Sequence, residues 1–193
     1  MIAVSVMKRI VNYTKYWVFG RKLYLLSQKR TVNSRFDNSE TLKLIEFEDL
    51  EVVERSRPGY SKMALKYLKN RDIGICVVVE DLIVAMGWVS VNNSSKLVYS
   101  SYFPLQPGTA WFHASWTSER FRGNGYHKAL IRARIEEVSM RYGTDINVLT
   151  NILPANEISV SNWEKMGFLR IGYLQVINLL GRRNIVWPKN WDL

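Results

Sequence analysis

Two near-continuous apolar runs, Ile73 to Val79 and Leu82 to Val91, are separated only by Glu80 and Asp81. Nothing else in the chain restricts its fold as much. Both runs are rich in β-branched residues and lack alternation with polar ones, the pattern of strands buried on both faces. A two-residue connection between them predicts an antiparallel hairpin buried in a sheet.

Around that hairpin the periodicity changes repeatedly. Thr41 to Phe47 reads as a strand, Glu48 to Ser56 as an acidic helix that stops before Pro58, and Ser61 to Asn70 as a second short helix with Met63, Leu65, Tyr67 and Leu68 as its apolar residues. Thr109 to Thr117 alternates as a strand. A longer helix from Tyr126 carries Ile131, Ile135, Val138 and Tyr142 on one face and ends at Gly143. Ile146 to Leu153 is a further strand, Glu157 to Lys165 a helix capped by Asn156 and ended by Gly167, and Phe168 to Leu179 a last strand region. Ser94 to Gln106, closed by Pro107-Gly108, fits a strand or a loop equally. There is no internal repeat. The order of elements places the chain in the α/β (α+β) class with a mixed sheet.

Residues 1–36 read as a basic extension packed on or flanking a main domain of residues 37–193. Val6, Ile10, Tyr13 and Trp17 fall at helical spacing, Gly20 interrupts, and Lys22 to Gln28 reads as a strand. Of the net charge of +10, eight cationic residues from Lys8 to Arg35 precede the first acidic residue, Asp37. Such a segment suits an anionic membrane surface, a nucleic acid, an acidic carrier protein, or simply solvent. Its charges interrupt any membrane span, and no secretory signal is evident, so the expected location is the cytoplasm. The single cysteine, Cys76, lies within the first apolar run, which predicts a buried thiol and no intrachain disulfide.

The chemistry-bearing segment is Glu119-Arg120-Phe121-Arg122-Gly123-Asn124-Gly125-Tyr126-His127, between a strand and an amphipathic helix. Its glycines permit a tight turn, and the helix start presents backbone N–H groups and a positive dipole end suited to a diphosphate. Arg120, Arg122 and Lys128 add cationic contacts. This loop resembles that of the GNAT superfamily of acyl-CoA N-acyltransferases, written Q/R-x-x-G-x-G/A, with Arg122, Gly125 and His127 in the three places; His127 departs from the usual Gly or Ala. A second segment, Asn156 to Phe168, is similar to the family's N-x-x-S-x-x-x-Y-x-K-x-G-F, with Trp163 where the tyrosine stands. The two resemblances together span about Thr109 to Gly172.

The resemblance implies a mostly antiparallel central sheet flanked by helices, with acetyl-CoA or another acyl-CoA as co-substrate and direct attack of an amine on the thioester. It implies that Ser115, Trp116 and Thr117 position the thioester through their backbone. Arg122, Gly123, Asn124, Gly125, Tyr126 and His127 would hold the diphosphate, with Asn156 and Trp163 along the cofactor arm. Asn156 serves equally as a helix cap, and Trp163 equally as core. A histidine suits removal of the amine proton, and arylalkylamine-type members similarly carry one at the offset of His113; a buried structural histidine is the competing reading. Because indole cannot protonate the leaving thiolate, Tyr173, Tyr126 or water takes that role, or the thiolate leaves unaided.

No HExxH, CxxC, G-x-S-x-G or Walker A pattern occurs, so no metal site is expected. For the acceptor, a small-molecule amine such as an amino-sugar precursor or an amino acid leads. An N-acyl amino acid synthase fed by an acidic acyl carrier protein comes second, favoured by the basic N-terminus. A nucleic-acid-associated role comes last. Pairing of two copies as a homodimer is left open, as is peripheral membrane contact through the basic N-terminus.

Overall fold

The computed structural model describes residues 19–28, 41–91, 108–179 and 182–186. The expected helix through Val6 to Trp17, the Ser94 to Gln106 segment and the tail beyond 186 lie outside them. Among the described residues eight strands form one sheet: β1 (Phe19–Gln28), β2 (Thr41–Ile45), β3 (Ile73–Val79), β4 (Leu82–Val91), β5 (Thr109–Thr117), β6 (Asn147–Ile152), β7 (Leu169–Leu179) and β8 (Arg182–Val186). Their spatial order is β2-β3-β4-β5-β6-β1-β7-β8, and only β5 and β6 run parallel.

The β3–β4 hairpin is where the apolar runs predict it. Glu80 and Asp81 both adopt positive φ, 49° and 62°, as a two-residue turn matched to strand twist requires. The strand read over Lys22 to Gln28 falls within β1, which lies inside the sheet, antiparallel to β6 on one side and to β7 on the other. Chain order suggests an appendage because strand pairing is non-local, and the free edges of β6 and β7 are created by segments more than a hundred residues away.

Helices cover both faces. The acidic helix begins later than its sequence suggests: Phe47–Asp49 forms a 3-10 turn, followed by α1 (Leu50–Ser56). With α2 (Ser61–Lys69) it covers one face, burying Val53, Ala64 and Tyr67 against Cys76, Met86 and Trp88. Met63, expected on the apolar side of α2, is exposed. On the other face α3 (Tyr126–Tyr142) buries Leu130, Ile131, Ile135 and Val138 against Ile75, Val77, Val84 and Phe112. The adjoining α4 (Glu157–Lys165) contributes Val160 and Trp163 to that same cluster. Cys76 is buried as expected, and loss of water pushes its thiol up to about 12, so it is an inert thiol. Among the described residues no helix is long and apolar enough to cross a membrane.

Candidate active site

The site begins where β5 leaves its neighbours. Parallel pairing with β6 stops at Phe112 and Thr150, although β5 runs on to Thr117 beside β4. Beyond Phe112 the β6-facing edge of β5 therefore has no strand partner among the described residues. On the opposite edge the ladder is also broken. Met86 faces Trp116 and Trp88 faces His113, so Ala114 and Ser115 together oppose the single residue Gly87. This is a β-bulge, and Ala114 takes φ +50°, a left-handed conformation that costs an alanine about 1–2 kcal/mol. The bulge turns Ser115 outward, exposed at the end of a cleft of about 700 Å³.

The other end of that cleft is the glycine loop. After a 3-10 turn at Glu119–Phe121, Arg122 is extended and Gly123 and Gly125 take φ +90° and +82°, swinging the chain into α3. No side chain caps this helix, so its first N–H groups open on the cleft with the positive end of the helix dipole. A Cβ placed on either glycine would meet no atom of the described residues within 4 Å, so among them the space in front of the loop is open. Arg122 and Lys128 line it, and among the described residues the ion pair of Arg122 is an exposed contact with Glu119 at 3.4 Å. Uncapped amides, two cations and an open glycine-walled space fit a diphosphate, and the cleft leading to the bulge fits the arm beyond it.

Eight of the ten residues expected on the donor side besides Asn156 line this cleft: Ser115, Trp116, Thr117, Arg122, Gly123, Gly125, Tyr126 and His127. Asn156 also lines the cleft while its Oδ1 accepts from the Ser159 amide, so it caps α4 at the cleft wall. Asn124 is exposed and its amide donates to the Phe121 carbonyl, bracing the loop. Trp163 lies in the core, 2% exposed, packed on Phe112 and Phe168, and the residue beside it, Asn162, reaches the cleft instead. Tyr173, half-exposed on β7, does not border the cleft.

His127, in the place of the expected glycine, is held neutral. Burial first, and then the charge of Arg134, pulls its pKa down to about 4. A native pKa below the unfolded value means that only the unfolded chain takes up this proton as pH falls from about 6.5 to 4. Its contribution to stability is complete above that window and is lost on acidification. In urea unfolding, wild type is expected to lose about 2 kcal/mol more than His127→Gln between those pH values; equal losses would contradict this.

His113 sits on the α1–α2 face rather than in the cleft, 7% exposed, with the Tyr67 ring edge-on at 4.8 Å. The Ser90 hydroxyl donates to Asp72 Oδ1 at 2.8 Å, so its oxygen accepts from His113 Nε2 at 3.0 Å; Asp72 Oδ2 lies 3.5 Å from the same nitrogen. This donor order puts a proton on Nε2; Nδ1 is buried and has no hydrogen-bond partner among the described residues. Asp72 and Ser90 were not anticipated. Their only sequence signal is a polar residue at each border of an apolar strand, and their meeting depends on the β3–β4–β5 register. Among the described residues no cluster of potential metal ligands occurs.

Residues 40–168 match the model of the Acetyltransferase (GNAT) family. The chain belongs to the GNAT acetyltransferase family. Its fold agrees with solved GNAT structures at low sequence identity. A GNAT-family protein from Novosphingobium aromaticivorans is 16% identical with a TM-score of 0.61, over 82% of this chain and 64% of that one. Ribosomal-protein-alanine N-acetyltransferase from Brucella melitensis is 16% identical with a TM-score of 0.57, over 75% and 95%. Aminoglycoside N-acetyltransferase AAC(6')-Iy, solved in complex with CoA, is 15% identical with a TM-score of 0.52, over 77% and 98%. The chain spans 64% of the Novosphingobium structure and 58% of a similar Drosophila one. No curated protein matches it by sequence. At such identity these structures establish the GNAT fold, and the broken β5–β6 pairing together with the glycine turn into α3 is where that fold opens in this chain.

Proposed function

We propose that the protein is an N-acyltransferase that takes acetyl or another short acyl group from acyl-CoA and delivers it to a primary amine of a small molecule. The observation that carries this reading is the uncapped, glycine-led N-terminus of α3 opening on a cleft that runs to the β5 bulge. Acyl-CoA supplies the activated thioester. The α3 amides with Arg122 and Lys128 hold its diphosphate, and the unpaired edge of β5 from Ser115 to Thr117 aligns the arm by backbone hydrogen bonds. Amides freed by the bulge stabilise the charge that develops on the thioester oxygen.

The amine approaches from the α1–α2 face, where His113 lies two residues before Ser115. With Nε2 engaged by Ser90 and Asp72, Nδ1 is the atom that accepts the amine proton, directly or through water. Neither Tyr173 nor Trp163 is placed to protonate the departing sulfur, and a thiol pKa of about 8.5 lets it leave as the thiolate. Turnover is tested by thiol release from acetyl-CoA with amino sugars, amino acids and arylalkylamines in turn. Release that depends on one amine class, with the acylated amine confirmed by mass, is the expected result; equal release with and without every amine would sink the small-amine assignment.

A further inference from the structure

We propose that Arg134 is a positioning residue for acyl transfer: from beneath the cleft it fixes the β5 bulge and sets the Ser115 hydroxyl to donate to the thioester oxygen. The proposal rests on the acyl-CoA reading above. Arg134 is 0% exposed, in the third turn of α3. Its Nη2 donates to Ser115 Oγ at 3.0 Å, its Nε to the Leu130 carbonyl at 3.0 Å, and its Nη1 to the Trp88 carbonyl at 3.4 Å. Among the described residues no carboxylate pairs with it. The guanidinium lies instead against the rings of Phe112 and Trp163, at 4.9 and 5.7 Å.

The strand is shaped around this group. A Cβ on Gly87 would come within 2.7 Å of the guanidinium carbon, so the residue opposite the bulge is one without a side chain. Burying a cation without a carboxylate is unfavourable, and an apolar side chain of similar volume would fill the space at less cost. Burial lowers the Arg134 pKa to about 9, which still leaves it cationic at neutral pH.

What the charge provides is a field and a hydrogen-bond direction at the cleft. Because the Ser115 oxygen accepts from Arg134, its own proton is left to be donated into the cleft that Ser115 lines, and a hydroxyl bonded to a cation donates more strongly. On attack, the amine nitrogen forms the C–N bond and the carbonyl π pair moves to oxygen, where the Ser115 hydroxyl and the bulge amides meet it. Collapse then breaks the C–S bond, the pair leaves on sulfur, and the amine proton passes to His113 or water. Arg134 touches none of the reacting atoms and acts through Ser115.

The test combines Arg134→Met, Ser115→Ala, the double variant and Gly87→Ala, which crowds the guanidinium without removing its charge. Each single variant is expected to lower kcat about 100-fold with the KM for acetyl-CoA nearly unchanged. The double variant loses no more than the worse single, because both act on one relay. The melting temperature of Arg134→Met is expected at or above that of wild type. A merely structural arginine would lower melting temperature, KM quality and kcat together, and that pattern overturns the proposal, as do losses that multiply in the double variant.

A second readout needs no turnover: the infrared carbonyl band of carbonyl-labelled acetyl-CoA bound to the protein. It is expected at lower frequency than for free acetyl-CoA in wild type, and near the free value in Arg134→Met and Ser115→Ala. The same shifted band in all three proteins would overturn the relay while leaving the acyltransferase reading intact. If wild type binds no acyl-CoA, both fall.

Discussion

His113→Gln is expected to lower kcat/KM by about 10²- to 10⁴-fold at neutral pH, with binding of acetyl-CoA unchanged. The glutamine keeps the volume and an amide able to bond Ser90, but it offers no basic atom where Nδ1 now stands. Asp72→Asn should lower activity as well. An asparagine keeps an oxygen that can accept from Ser90 but loses the negative charge and puts an N–H donor where Oδ2 now faces His113 Nε2, so the imidazole loses its reason to keep the proton on Nε2. The discriminating measurement is the pH dependence of the deficit. A primary amine with a pKa near that of lysine, about 10.4, becomes increasingly neutral as pH rises toward 10, so a growing share of it reaches the site with no proton to be removed before attack. The His113→Gln deficit should therefore shrink as pH rises toward 10. A deficit of constant size at every pH, accompanied by a fall in melting temperature, would make His113 a structural member of the Tyr67–Asp72–Ser90 cluster and return the proton to water.

The second large effect is expected at the glycine loop. At 100 times its Kd a ligand adds about 2.7 kcal/mol of stability, which raises the melting temperature of a domain of this size by about 5–10 °C. CoA or acetyl-CoA should produce that shift in wild type and none in Arg122→Ala combined with Gly125→Val. Gly125 holds φ +82° at the N-cap of α3, a conformation a β-branched residue adopts only under strain, and valine would project into the space in front of the helix amides. Arg122 supplies a charge-assisted contact worth about 1.5–3 kcal/mol. Together these changes should weaken donor binding by at least about 100-fold. Retention of the full shift in the double variant would move the donor away from this loop, and absence of a shift in wild type would remove the acyl-CoA reading altogether.

The two regions differ in how far they were legible. That Arg122, Gly123, Gly125 and Tyr126 share one loop could be read in the sequence because the loop is local: turn, uncapped helix start and cations lie within a few consecutive residues. The His113 cluster, to which proton transfer is assigned as a proposal, could not, because Asp72, Ser90 and His113 come from three elements and meet only through the pairing of β3, β4 and β5. Arg134 was hidden more deeply. In a helix with apolar residues at its other inward positions it reads as a solvated charge, and only the packing of α3 against Gly87 turns it inward. Trp163 shows the converse, since its place in the motif suggested the cofactor arm while its large apolar ring is more stable in the core beside Phe112 and Phe168.

By itself, then, the amino-acid sequence determined what short-range physics controls: the β3–β4 hairpin and its two-residue turn, the helical stripe of α3, the glycine turn that opens it, and the burial of Cys76. The tertiary structure alone decided that β1 is an interior strand between β6 and β7, that β5 parts from β6 after Phe112, and that a bulge opposite Gly87 brings Ser115 over a buried Arg134. Those outcomes depend on which strand edges meet and which side chains fill the space between them, and contacts between residues tens of positions apart leave no periodic trace along the chain.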